Sequence, residues 1–203
     1  MRIGIVACDV LKGELEFLTK DDPDFVLRIY LEFALHENAE NLKRVIKETV
    51  NGLAGQVDAV LLGYSVCQSL RDIISELTVP TVMLRGEDCI DALLGEDEYK
   101  MEKKTCIGTW FSSPGWALQG TKGVIKTLHL DSVEGVEPSF FLDMLFASYE
   151  RCLYIDTGIG NSEEYTEMSK KFADELKLRL DCRSCGLNAL EDAISNVKKK
   201  AAS

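Results

Sequence analysis

"DAVLLGYSVCQSLRDIISEL" (Asp58–Leu77) decides how this chain is read. It opens on an apolar run, Ala59 to Leu62, that stops at Gly63 and Tyr64, as a buried strand does. Four residues after Gly63 stands Cys67, and the segment "SLRDIISEL" that follows reads as a helix. A strand, a loop and a helix form the repeating unit of a parallel sheet.

Outward from that stretch the same alternation recurs. "RIGIVAC" (Arg2–Cys8), "FVLRIYLEF" (Phe25–Phe33), "TVPTVMLRG" (Thr78–Gly86), "KTCIGTWF" (Lys104–Phe111) and "RCLYIDTG" (Arg151–Gly158) read as further strands. Helices are expected in "LKGELEFLTK", in "HENAENLKRVIKETVNGLAG" with Asn38 as N-cap, and in "CIDALLG". Others are expected after Ser113–Pro114, in "SFFLDMLFASYE", in "NSEEYTEMSKKFADEL" and in "LNALEDAISNVKKKAAS", which runs into a basic tail. Strands alternating with helices predict an α/β fold, a layered, mostly parallel, Rossmann-like sheet with helices on both faces, as one domain over residues 1–203.

Composition bounds the function. A net charge of −11 argues against non-specific nucleic-acid binding and against an anionic membrane surface. No apolar run approaches the ~20 residues of a membrane helix, and "MRIGIVACDV" does not read as a signal peptide, so a cytoplasmic protein is expected. Seven cysteines in such a chain point to metal, redox chemistry or burial rather than to a disulfide framework.

Ligands of open parallel sheets bind outside the carboxyl ends of the strands. Cys8, Cys67 and Cys89 each occupy a strand-to-helix connection, so a parallel sheet would gather them on one rim. Three thiolates suit zinc, an iron–sulfur cluster or cobalt, and His36 after the second strand could add a nitrogen ligand. Buried cysteine as a small hydrophobe is the competing reading for each, and the better one for Cys106 and Cys152 inside strand patterns. Cys182 and Cys185 form a C-x-x-C, a second candidate for metal or redox chemistry, against a plain surface turn.

Several residues are candidates to line a substrate. Tyr64 ends a strand; Arg85 could hold a carboxylate or phosphate; Glu87 or Asp88 could carry a proton. Trp110 and Trp116 flank a Pro-Gly turn and could wall a planar ligand, although core packing is the commoner fate of such aromatics. Asp156 and Thr157 open a glycine-bearing loop into a helix, a form that can cradle an anion or serve as a tight turn.

"ACD" after the first strand, Leu35-His36, "LLGYSVC", "RGEDCIDALLG", "TWFSSPGW" and "YIDTG…Y" resemble the family catalogued as domain of unknown function 1638. The resemblance maps that family's cysteines onto Cys8, Cys67 and Cys89 and its histidine onto His36. Its members occur in methanogens and other anaerobes, often encoded near corrinoid-dependent methyltransferase systems. Two departures are visible: "GYSVCQS" carries less glycine around the cysteine, and residues 182–203 form a variant C-terminal segment with the C-x-x-C and the basic tail.

These readings lead to one expectation and two rivals. The expectation is a protein that binds a metal or metallocofactor through Cys8, Cys67, Cys89 and His36. Its cofactor would be zinc or an iron–sulfur cluster, with a corrinoid as a further candidate. The resemblance places it in one-carbon, corrinoid-linked methyl metabolism, as methyltransferase or accessory, with a small molecule, a corrinoid protein or a methyltransferase as partner. The rivals are a metal-free enzyme with Cys67 as nucleophile and a non-catalytic assembly protein.

Overall fold

The computed structural model describes residues 1–33, 35, 38–65, 70, 72–132 and 134–203. It divides into two compact units, residues 1–95 with 187–203, and residues 96–186.

The first unit is a four-stranded parallel sheet in the order β2-β1-β3-β4, from β1 (Ile3–Cys8), β2 (Phe25–Leu31), β3 (Ala59–Ser65) and β4 (Thr81–Leu84). Burial follows that order. Every residue of β1 and of β3 is buried, whereas β2 and β4 at the edges are half-exposed. Interior parallel strands are covered on both faces, which is why their sequences are nearly all apolar. Helices α1 (Lys12–Thr19), α2 (Ala39–Asn51), α3 (Cys89–Leu94) and α8 (Asn188–Ala201) complete this unit. The Asn38 carboxamide caps α2 by accepting from Asn41 N–H at 2.9 Å, and Leu42, Ile46 and Val50 form its buried stripe. Helix α8 packs along β4, β3 and β1 through Leu190, Ala193 and Val197. Its lysine-rich end stays helical, and Lys198 pairs with Asp22 (2.5 Å) and Asp24 (3.4 Å).

The second unit is a three-stranded parallel sheet in the order β5-β6-β7, from β5 (Thr109–Ser112), β6 (Arg151–Asp156) and β7 (Arg179–Ser184). Its helices are α4 (Glu96–Thr105), α5 (Pro114–Thr127), α6 (Pro138–Phe146) and α7 (Ser162–Glu175). Phe146, Cys152, Phe172 and Leu176 centre its core. A charged network stands beside the core: Arg151, 5 % exposed, donates to Glu102 Oε2 at 2.6 Å and to Thr109 Oγ1 at 2.8 Å. Arg183 reaches the other oxygen of Glu102 at 2.5 Å and also pairs with Glu98.

The α/β class with parallel sheets is as expected, but the strands fall into two sheets. Four local expectations need correction. The helix expected over 69–77 is not seen among the described residues there: Leu70 and Ile73–Glu76 are in 3-10 conformation. The β-branched pair Ile73–Ile74 resists helix extension, and the chain must reach β4 by Thr81. The strand expected over 104–111 begins only at Thr109, because α4 runs to Thr105. Glu96, Asp97 and Glu98 at its start and Lys103 and Lys104 at its end complement the helix dipole. Cys106 therefore lies in the turn after α4, half-buried, not in a strand. Finally, β7 was not expected, since "RLDCRS" is polar; it is an edge strand whose charges serve the network around Arg151.

Candidate functional site

In the first unit the chain steps from β1 outward to β2, then returns past β1 to β3 and on to β4. The reversal falls between β1 and β3, and such a switch point opens a crevice at the carboxyl ends of the strands. Cys8 is the last residue of β1. It is 3 % exposed, and its Sγ donates to Asp9 Oδ1 at 3.8 Å.

The end of β3 is bulged against β4. Leu62 pairs with Met83, but the next pair is Ser65 with Leu84, so Gly63 and Tyr64 are extra. Bulges bend a strand and re-aim its side chains, and they recur beside sites. Gly63 lets β3 press on β1 here: a Cβ at this position would lie 2.3 Å from Ala7 Cβ. Tyr64 and Ser65 follow, both buried. The Ser65 hydroxyl donates to the Asp88 carbonyl at 2.8 Å, which ties the end of β3 to the start of α3.

The loop "RGEDC" (Arg85–Cys89) is built by its own carboxylates. Asp88 Oδ1 accepts from Ile90 and Asp91 N–H, each at 2.9 Å, and so caps α3. The buried Asp91 accepts from Glu87 N–H at 2.6 Å across Gly86, whose φ of 114° needs glycine. Cys89 opens α3 and is half-buried.

These groups act on one another. Burial pushes the Cys8 thiol well above its ordinary range, a backbone hydrogen bond at Val10 opposes this, and the charges of Cys89 and Asp9 add to it. Burial likewise raises Tyr64, with Cys8 and Asp9 adding to it. Asp9 is raised by burial, relieved by Cys8 and raised again by Glu32. The fold thus brings Cys8, Tyr64 and Cys89 within electrostatic reach, and among the described residues the charges that act on Cys8 and Tyr64 are negative. Cys67 and His36 lie outside the described residues, and among the described residues no group of three or more His, Cys, Asp and Glu could hold a metal ion. Asp9, Ser65 and Asp91 were missed as site-builders, although "ACD" and "EDCID" contain two of them.

The remaining candidates stand elsewhere. Arg85 is exposed and lines a cleft with α8. In the second unit Trp110 stacks on Phe172 (5.6 Å) and meets Trp116 and Phe146 edge-on, so it belongs to that core. Asp156 ends β6, and its carboxylate accepts from Gly158 N–H (2.9 Å) and the Ser162 hydroxyl (2.6 Å). It organises the turn into α7 around the buried Thr157. With Glu163 and Glu164 in the first turn of α7, that turn repels anions. Cys182 is exposed on β7; Cys185 follows the strand, its N–H donating to the Asp156 carbonyl at 2.9 Å. Burial raises Cys182, and Asp181 and Asp156 raise it further.

A Rossmann-like α/β protein with thiols and a buried tyrosine at the carboxyl ends of its strands is the class that this geometry defines. Within it, the family model described as "Protein of unknown function (DUF1638)" matches residues 30–194, and the chain belongs to that family. No curated protein and no solved structure matches it. No helix among the described residues is long and apolar enough to cross a membrane.

Proposed function

We propose that this protein binds a metal ion or metallocofactor through Cys8, Cys67 and Cys89, with His36 or an exogenous ligand completing the shell. The observation that carries the reading is the placement of Cys8 at the end of β1 and of Cys89 at the start of α3, 81 positions apart in sequence, on the side of the sheet where the order switches between β1 and β3 and close enough for the charge of Cys89 to act on Cys8. Cys67 comes two residues after β3, the strand between β1 and the one that leads to Cys89.

The donor set fits a soft or borderline metal. A metal ligand must be a thiolate, yet burial and negative neighbours hold Cys8 protonated. A bound cation reverses that balance, which makes this pocket a poor home for free thiolates and a good one for a thiolate-bound cation. Zinc or an iron–sulfur cluster satisfies these terms. When bound, such a centre supplies Lewis-acid or redox chemistry. The chain's own residues would fix the thiols, exclude water through Tyr64 and Leu62, and lock the α3 side through Ser65. The family resemblance supports corrinoid-linked methyl metabolism as the setting, as methyltransferase or accessory, in a cytoplasm that keeps thiols reduced. The same burial speaks against Cys8 as a free nucleophile, which needs a lowered thiol pKa.

Elemental analysis and an optical spectrum of anaerobically purified protein test the proposal. Stoichiometric metal that is lost in Cys67→Ser and Cys8→Ser, with the far-UV circular dichroism retained, is the expected result. A metal-free, colourless chain that takes up no zinc or iron on reconstitution overturns it.

A further inference from the structure

Helix α8 carries a second stripe that shares Ala193 with its buried one. Ala189, Asp192, Ala193 and Asn196 recur at three- and four-residue spacing, so they share one face. That face borders Val82 and Met83 of β4 and Arg85 just beyond it, across a cleft of about 390 Å³. Two alanines stand where larger side chains would close the gap between helix and strand.

The polar groups of this cleft are unspent. Arg85, Asp192 and Asn196 make no hydrogen bond or ion pair with the described residues. Arg85 and Asp192 carry opposite charges and line the same cleft without forming a salt bridge. The volume lies near the small end of ligand sites, which run from roughly 300 to 1,000 Å³. A guanidinium fork matches a carboxylate, a carboxylate matches an ammonium group, and the Asn196 amide serves either. The apolar floor of Val82, Met83 and Ala193 suits a short carbon chain.

We propose that this cleft binds a small zwitterion carrying a carboxylate and an ammonium group, the carboxylate on Arg85 and the ammonium on Asp192. An added peptide strand suits it less well. Strand β4 is an edge, but it spans only Thr81–Leu84 and follows Pro80, features that discourage strand addition. Arg85 opens the loop that ends in Cys89, but none of the thiols lines the cleft and the zwitterion titration needs no metal, so the two readings stand or fall separately.

The test is a nitrogen-15 NMR titration of the full chain with glycine, β-alanine and 4-aminobutyrate, which space the two charges progressively further apart. Acetate and methylammonium are the one-charge controls. At least one zwitterion should saturate shifts at Val82, Met83, Ala189 and Asn196, with a Kd on the order of 1 mM, as two exposed charge contacts allow. Arg85→Gln and Asp192→Asn should each weaken binding about tenfold, close to one charge-assisted contact. Ala189→Leu, a helix-compatible change that fills the cleft, should abolish it with other resonances in place. Absence of saturable shifts with all three zwitterions overturns the proposal. So does acetate binding as tightly as the zwitterions with Asp192→Asn indifferent, or shifts that appear only with an extended peptide.

Discussion

Replacing Gly63 by alanine should destabilise the first unit more than a single methyl group ordinarily does. The new Cβ would lie 2.3 Å from Ala7 Cβ, 3.1 Å from Ala7 Cα and 3.2 Å from Leu15 Cδ1. Leu15 can rotate away, but the other two atoms belong to β1, paired with β3 at Ala7–Gly63. Relief therefore requires the two central strands to part at the switch point. Overpacking a core costs typically 1–3 kcal/mol, and a clash with backbone-fixed atoms belongs in the upper half, about 2–3 kcal/mol. For a chain of this size that lowers Tm by roughly 4–12 °C. Urea and thermal unfolding by far-UV circular dichroism measure it, and amide exchange in β1 and β3 locates it. Ala7→Gly removes the closest atom, so Ala7→Gly/Gly63→Ala should be more stable than the two single effects predict by at least about 1 kcal/mol. A Gly63→Ala protein within about 0.5 kcal/mol of the parent, or strict additivity of the pair, refutes the reasoning.

Three further outcomes are expected. Hydrogen bonds from Lys43 and Lys47 hold Glu76 down at about 2, below its ordinary 4.5, so its support for the turn after β3 is full above 4.5 and fades as pH falls toward 2. Glu76→Gln should flatten that part of the acid-unfolding curve, and an unchanged curve counts against the assignment. Arg151→Met should cost about 3–5 kcal/mol in urea unfolding, because it leaves Glu102 buried beside Arg183 alone; a loss under about 1 kcal/mol refutes that. Iodoacetamide at pH 8 should modify the exposed Cys182 long before Cys152, which is fully buried with its thiol pushed up to about 12 by burial and the Cys182 charge. Mass-mapped labelling of Cys152 in folded protein at a comparable rate overturns the burial argument.

The parallel α/β class was legible because β1, β3 and β6 are interior strands built around apolar runs, with the polar residues of β6, Arg151 and Asp156, at its two ends. The strands at or near an edge were harder. Strand β7 hides behind charges: Arg179 pairs with Asp181 within the strand, and Asp181 and Arg183 also reach Arg151 and Glu102, far away in sequence. Helix α4 was hidden for a related reason: "EDEYKMEKKT" has a weak apolar stripe, and its charges favour a helix through their order along the axis. Among the thiols, the positions of Cys8 and Cys89 in strand-to-helix connections could be read directly. The carboxyl groups could not be sorted by inspection: Asp88 and Asp91 are spent on capping and on the Gly86 turn, whereas Asp9 bonds the Cys8 thiol.

Cys8 and Cys152 show why burial alone does not separate a ligand from packing. Both lie in interior strands, both are buried, and burial raises both thiols. Cys152 is the second residue of β6 and packs within the cluster that holds Phe146, Phe172 and Leu176. Cys8 is the last residue of β1, where the apolar core gives way to Asp9, Tyr64 and Cys89. Cys152 packs among hydrocarbon, with the charge of Cys182 as the one neighbouring charge that acts on it among the described residues, and such a thiol is stable as a neutral, weakly polar filler. A thiol among ionisable groups of the same sign is held neutral at the expense of its neighbours, and one bound cation lowers the pKa of all of them together. Position along the strand, more than depth of burial, is thus what makes Cys8 the stronger candidate, and the same logic makes Cys152 the natural negative control for every metal measurement on this chain.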